Sequence, residues 1–354
     1  MNPVSAKVKN KNESIPHIFL HLFLQASNDG LNMLFKGICH ELKSLLIQTY
    51  CRVPIQTILL SGGLDSSILA SVARPRHAIT IGFGTKTEDF TFSSIIAKRF
   101  CHHHIKVQLN HEMLLSIINS FIELMKTFDP IEIRNSSVTY AGIEESKRRG
   151  YTGVVTGDGC DELFAGYDYM RRFDSNIKYL DLELNRIWRI MHFSSYQIGK
   201  AFGITIWSPF LEKPFFNYAQ RINISEKIGH YGGTRWGKFI LRKCFEDDIG
   251  KKIAWRAKRA QESGANITAI TDIINEAFDD DRFVFEKRKA MDEGVMIRNR
   301  EHLYYYLLYR RKYPAPRTDD EGFKLRCPKC LCPFPWEGTY CRTCGSYPVS
   351  PLVK

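Results

Sequence analysis

The chain has 354 residues, 44% hydrophobic and 25% charged, with 50 Lys and Arg against 38 Asp and Glu. That balance excludes a disordered or fibrous chain and leaves room for one large domain or two smaller ones. The most apolar early stretch, IPHIFLHLFL at 15–24, is too short for a bilayer and no secretory signal is readable. The expectation is therefore a soluble cytoplasmic protein with no membrane partner. The net charge of +12 raises a nucleic-acid partner. Its densest pieces, KKIAWRAKRA at 251–260 and RRKYPAPR at 310–317, form no single block and read as solvated or phosphate-facing residues, which puts nucleic acid second.

The first legible element is ILLSGGLDSSIL at 58–69. A buried strand breaks into Ser61, Gly62 and Gly63 and restarts as a helix with Asp65, Ser66 and Ser67 in its first turn. Glycines there clear the way for a phosphate to reach backbone N–H groups and the positive end of the helix. The lysine of a Walker loop is missing, so Asp65 is expected to hold a magnesium ion that meets the phosphates instead. Further strands are expected near 78–83, 105–109 and 152–156, with the three histidines 102–104 at the start of the third.

The fourth strand runs into VVTGDGCDELFAGYDYM at 154–170, a turn rich in glycine and carboxylate. It places Asp158, Asp161 and Glu162 at the same carboxyl edge as Asp65. Asp65 and Asp161 together make a two-sided magnesium clamp. GGTRWGKF at 232–239 matches the Walker pattern only up to Gly237 and Lys238: Phe239 stands where Ser or Thr is needed, and no apolar strand precedes it, so it is rejected as a phosphate loop.

The tail reads CPKCLCPFPWEGTYCRTCG from Cys327. Cys327 and Cys330 form one knuckle, and Cys341 and Cys344 repeat its spacing. Four thiolates so arranged suit a structural zinc in a segment too small for its own core, with Cys332 able to replace Cys330. The scattered cysteines 39, 51, 101, 160 and 244 read as buried small hydrophobes.

The SGGLDS loop resembles the pyrophosphate loop of the N-type ATP pyrophosphatases. The segment at 154–170 is similar to the GEG-x-DELF-x-GY signature of the asparagine synthetase synthase domain. The resemblance continues through WSPFLEKPFFNYA at 207–219, KFILRKCF at 238–245 and WRAKRAQESG at 255–264. LNMLFKGICHELKSLLIQTY at 31–50 fits the amphipathic helix that leads into the first strand in that family.

What the resemblance implies is an ATP-dependent, amide-forming ligase of the doubly wound α/β class (adenine nucleotide alpha hydrolase-like). A substrate carboxylate, aspartate as the first guess, attacks ATP to give an acyl-adenylate and pyrophosphate, and ammonia or another amine then displaces AMP. By motif matching Leu60, Ile81, Thr156 and Gly157 touch the nucleotide, and residues 61–66 its phosphates. Lys258 stabilises developing negative charge, and Arg134 matches a family arginine. Asp158 stands where the family has a glutamate that relays a proton, one methylene shorter.

The expected organisation is a helical lead-in at 1–50, the pyrophosphatase domain at 51–313 with a largely helical second half, a linker at 314–322 and a zinc ribbon at 323–354. Residue 2 is Asn2 and only 60 residues precede the loop. The amino-terminal glutaminase of the glutamine-dependent enzymes is therefore not expected, and the amine comes from free ammonia, a separate amidotransferase or another amine substrate. Two alternatives remain: an adenylating enzyme acting on tRNA, suggested by the ribbon and the basicity, and a nucleotide-binding scaffold without turnover.

Overall fold

The computed structural model describes residues 17–353, except 54, 86, 174–175, 258–259, 277, 319–324 and 335–337, with backbone only at 17–32, 34 and 353. The first half alternates helix and strand: α1 (His17–Tyr50), β1 (Thr57–Leu59), α2 (Leu64–Ala73), β2 (His77–Phe83), α3 (Glu88–Phe100), β3 (His103–Leu109), α4 (His111–Met125), α5 (Pro130–Arg148) and β4 (Gly153–Val155). There follow α6 (Cys160–Leu163), α7 (Ile177–Ile190), α8 (Ser194–Phe202), β5 (Thr205–Trp207), α9 (Lys213–Arg221) and α10 (Ile224–Lys227). After a hairpin of β6 (Ile228–Tyr231) and β7 (Thr234–Gly237) come α11 (Phe239–Ile249), α12 (Lys251–Ala254), α13 (Gln261–Gly264), α14 (Ile270–Glu276), α15 (Asp280–Asp292) and α16 (Arg300–Arg310). The tail pairs β8 (Leu325–Arg326) with β9 (Leu352–Val353). Among the described residues no helix is long and apolar enough to cross a membrane.

Five strands form one parallel sheet in the order β3-β2-β1-β4-β5. This is the doubly wound α/β class expected. Alternate residues of each inner strand enter different cores: Ile79 and Val154 join α4, α5, α8 and α16 on one face, while Ala78 and Val155 join α1, α2, α9 and α11 on the other. Both faces of the strands are covered, which is why they read as unbroken apolar runs. Ile58 pairs with Ala78 on one side and Val155 on the other. The chain therefore changes direction across the sheet between β1 and β4, the place where α/β folds open a crevice at their carboxyl ends.

Some details depart from the sequence reading. A fifth strand, β5, lies where only a motif was legible. The rejected Walker match is the β6–β7 hairpin, turning at Gly232 and Gly233, both at positive φ. Cys39 and Cys244 are not separate buried thiols but a disulfide tying α1 to α11. In the expected linker, Ala315 and Pro316 are buried. The tail cysteines share the core that contains Phe128, Leu303, Tyr306 and Tyr309.

Candidate active site

A cavity of about 470 Å³ opens at the carboxyl ends of β1, β2 and β4. Its floor is the turn that leaves β1. Gly62 takes φ +71°, and a Cβ there would lie 2.3 Å from the Ser93 backbone nitrogen, so the loop lies directly on α3 and only glycine fits. The Gly63 N–H donates to Ser61 Oγ, which stands 3.2 Å from Ser66 Oγ, closing the loop on itself. Gly63 caps α2 without a side-chain acceptor, so the helix turns its positive end to the cavity. Leu59, Leu60, Ile79, Ile81 and Val138 give one side an apolar lining. Thr80 Oγ1 donates to the Leu60 carbonyl at 2.6 Å and meets His104 Nε2 at 2.9 Å, fixing β1 to its neighbours just before the turn.

Beside this loop stands a cation the sequence reading did not assign. Lys238 Nζ lies 2.8 and 2.6 Å from the two carboxylate oxygens of Asp65 and 2.8 Å from Asp161 Oδ1. Burial opposes the ammonium charge, but Asp161 and Asp65 outweigh it and hold the lysine protonated well above its ordinary range. The lysine absent from the loop in sequence thus arrives in space, from the far end of the hairpin rejected as a Walker loop. Lys238 caps α11 at φ +56°, and its N–H donates to the Phe164 carbonyl. Gly166 admits it: a Cβ there would lie 1.9 Å from Asp161 Oδ1 and 2.3 Å from Lys238 Cε.

Two carboxylates from separate turns thus converge on one cationic centre, and such hard oxygen donors fit a magnesium ion in the same neighbourhood. Arg242 stiffens this end. Its guanidinium donates to the carbonyls of Gly237, Ala254 and Arg256 and stacks on Trp236, and burial lowers its pKa to about 10. Arg256 reaches Glu88 and the buried Asp89 and packs on Phe92.

The opposite end of the cavity carries carboxylates and hydroxyls. Asp158 Oδ2 accepts from Ser195 Oγ at 2.6 Å and Thr156 Oγ1 at 2.8 Å, while Thr156 meets Ser208. Burial raises the Asp158 carboxyl above its usual range, against the lowering effect of those hydroxyls. Ser136 Oγ donates to Glu132 Oε1 at 3.0 Å and lies 2.7 Å from Ser194 Oγ. Adjacent serines at the start of α8 therefore link Asp158 to Glu132. Glu162, buried and receiving the Tyr167 hydroxyl, is pushed up to about 7 by burial.

Of the residues singled out from sequence, Leu60, Ser61, Gly63, Asp65, Ser66, Ile81, Thr156, Gly157, Asp158 and Asp161 line this one cavity. Gly62 supports the turn from behind. Arg134 lies outside the lining, its Nη1 bonded to both oxygens of Glu301 at 2.7 and 2.6 Å. Lys258 lies outside the described residues. Lys238, Arg242 and Glu132 were not assigned. For Lys238 a signal existed in the Lys-x-x-Leu-Arg motif, but nothing local said where it would point.

Four tail sulfurs, of Cys327, Cys330, Cys341 and Cys344, lie within 4.8 Å of one another. The separations of 3.9 Å for Cys327–Cys344 and 3.7 Å for Cys330–Cys341 suit tetrahedral thiolates about one zinc, which stand roughly 3.8 Å apart when each bond is about 2.3 Å. Cys332 Sγ, 3.4 Å from Cys341 Sγ, is closer than that.

The family model described as asparagine synthase matches residues 43–190 and 196–302. Over 235 residues the chain is 29% identical to Escherichia coli glutamine-hydrolyzing asparagine synthetase B, covering 60% of this chain and 42% of that protein. It is 26% identical over 282 residues to the root enzyme of Pisum sativum, with 73% and 48% covered. The Zea mays asparagine synthetase is likewise 26% identical, over 297 residues, with 76% and 50% covered. The chain spans about half the length of the curated relatives it matches.

Proposed function

The chain belongs to the asparagine synthase family, and from that premise we propose that it is an AMP-forming carbon–nitrogen ligase that activates a carboxylate, aspartate first among candidates, and transfers it to ammonia or another amine. The observation that carries this reading is the polarity of the cavity: Lys238 between Asp65 and Asp161 beside the glycine loop, and Asp158 held by hydroxyls at the other end.

At the loop end, the α2 N-terminus and Lys238 take the charge of the departing pyrophosphate. Asp65 and Asp161 would hold a magnesium ion, which supplies further positive charge to the phosphates. The apolar lining of Leu60, Ile79 and Ile81 receives the adenine. The substrate carboxylate oxygen bonds to the α-phosphorus as the bond to pyrophosphate breaks. The amine nitrogen then attacks the acyl carbon and AMP leaves with its oxygen. Asp158 takes the proton the amine gives up, a role favoured by a carboxyl that burial raises above its usual range. Its shorter side chain reaches less far than a glutamate, while Ser195 and Thr156 fix its plane. Alignment and charge neutralisation are the protein's main contributions. In the tail, Cys327, Cys330, Cys341 and Cys344 hold a structural zinc. The two-ended charge pattern favours a small carboxylate and amine over tRNA.

The test is release of pyrophosphate and AMP from the full chain with MgATP, aspartate and ammonium, alongside Asp65→Ala. Aspartate-dependent release that is lost in the variant supports the reading. Binding of ATP with no release for aspartate sinks the aspartate assignment.

A further inference from the structure

Hydrogen bonds from the cysteine-rich tail reach three parts of the molecule. At the start of α5, the Phe128 N–H donates to the Thr343 carbonyl at 2.8 Å, Thr127 Oγ1 to the Arg342 carbonyl at 2.7 Å, and the Tyr340 hydroxyl to Asp129 Oδ2. At the end of α7, Arg342 Nη2 donates to the Ile190 carbonyl at 2.7 Å. Between α15 and α16, Arg298 donates to the carbonyls of Gly345 and Cys344, and the Met296 N–H to that of Lys329.

The first two attachments matter because of what comes next in the chain. Asp129 is fully buried and caps α5 through the Ile131 N–H, and the first turns of α5 present Glu132, Asn135 and Ser136 to the cavity. Ile190 ends α7, and His192, Phe193, Ser194 and Ser195 line the cavity directly after it. These two segments meet at the Ser136–Ser194 contact and hold Asp158 through Ser195. The tail thus grips both halves of one wall from outside, immediately before each enters the cavity.

We infer that Tyr340 and Arg342 are positioning residues for the Asp158 end of the cavity: Tyr340 sets the start of α5, Arg342 sets the approach to α8, and the nucleotide loop is left to α2, α3 and α11. This goes beyond the ligase reading and does not depend on the identity of the acid or amine. It assigns the tail an internal role in shaping the site.

Because the attachments differ, the test is a crossed one. Backbone hydrogen exchange is mapped in the full chain and in Tyr340→Phe, Arg342→Ala and Arg342→Lys, together with MgATP affinity. A lost hydrogen bond to a buried carboxylate raises local opening on the order of tenfold or more. Tyr340→Phe should therefore speed exchange by about that factor over 129–136, and Arg342→Ala, which removes an exposed bond to a main-chain carbonyl, by about fivefold over 190–196. Arg342→Lys should restore the second segment, and MgATP affinity and exchange over 57–70 should stay unchanged. Exchange unchanged in both segments overturns the inference. So does exchange raised uniformly through the molecule, or confined to the tail, since a merely stabilising tail would produce either.

Discussion

Replacing Lys238 by methionine isolates the charge at the centre of the site. The ammonium is 5% exposed and the carboxylates of Asp65 and Asp161 are each 23% exposed, so removing the cation leaves two carboxylates facing one another with little water. Breaking a buried pair of this kind costs about 3–5 kcal/mol. With an unfolding entropy of about 2.1 cal/mol/K per residue, a chain of this length has about 0.7 kcal/mol/K, and the loss corresponds to a Tm lower by roughly 4–7 °C. A divalent cation should replace the ammonium between the same oxygens. Magnesium at a hundredfold excess over its Kd returns about 2.7 kcal/mol, or roughly 4 °C. The assay is thermal unfolding of Lys238→Met and the unsubstituted protein, without nucleotide, with and without millimolar MgCl2. The variant should be destabilised and should recover more on adding magnesium than the unsubstituted protein gains. No stabilisation of the variant by magnesium would refute the placement of a metal between Asp65 and Asp161.

Four further outcomes follow from the geometry. Gly166→Ala drives a methyl into Asp161 and Lys238; overpacking of about 1–3 kcal/mol should weaken MgATP binding by roughly 5- to 150-fold, measured by calorimetry, and affinity unchanged within twofold would contradict the close approach. His104 is held neutral by burial down to about pH 4, whereas an unfolded imidazole binds its proton near 6.5. Between those values the unfolded state holds more protons, so stability contributed by neutral His104 is present above pH 6.5 and lost as pH falls toward 4. His104→Gln should flatten that part of the pH–stability curve, and parallel curves would count against it. Cys39→Ser opens a link between residues 205 apart and should lower unfolding stability by up to about 5 kcal/mol under oxidising conditions, with no shift counting against the bond. Cys332→Ser should keep one zinc per chain by metal analysis while Cys344→Ser loses it; the reverse would reassign the ligands.

Legibility of the sequence ended where chain separation began. The β1 turn and the β4 turn could be read because each is local: apolar strand, glycines, carboxylates and helix within a few residues, so Asp65, Asp158 and Asp161 fall at the carboxyl edge by topology alone. Lys238 could not, because it meets Asp65 at a sequence separation of 173 and its local pattern points to a hairpin. Arg134 carries a family match, yet the buried Glu301 of α16 claims its guanidinium, a partner no motif names. β5 was missed because, unlike the equally short β1 and β4, it runs into no turn rich in glycine and carboxylate. The docking of the tail left no trace because Arg342, Thr343, Cys344 and Gly345 accept through main-chain carbonyls, which every residue has.

That last feature has a consequence for the order in which the protein is made. Thr127 waits for a carbonyl 215 residues downstream, so a ribosome has finished the sheet, the nucleotide loop and the hairpin lysine well before α5 receives its outer support. A chain stopped short of residue 339 would have the β1 turn, Asp161 and Lys238 and would lack the contacts of Tyr340 and Arg342 on the opposite wall. Under the ligase reading, the wall that holds Asp158 would gain its outer support later in synthesis than the β1 turn and Lys238 come together.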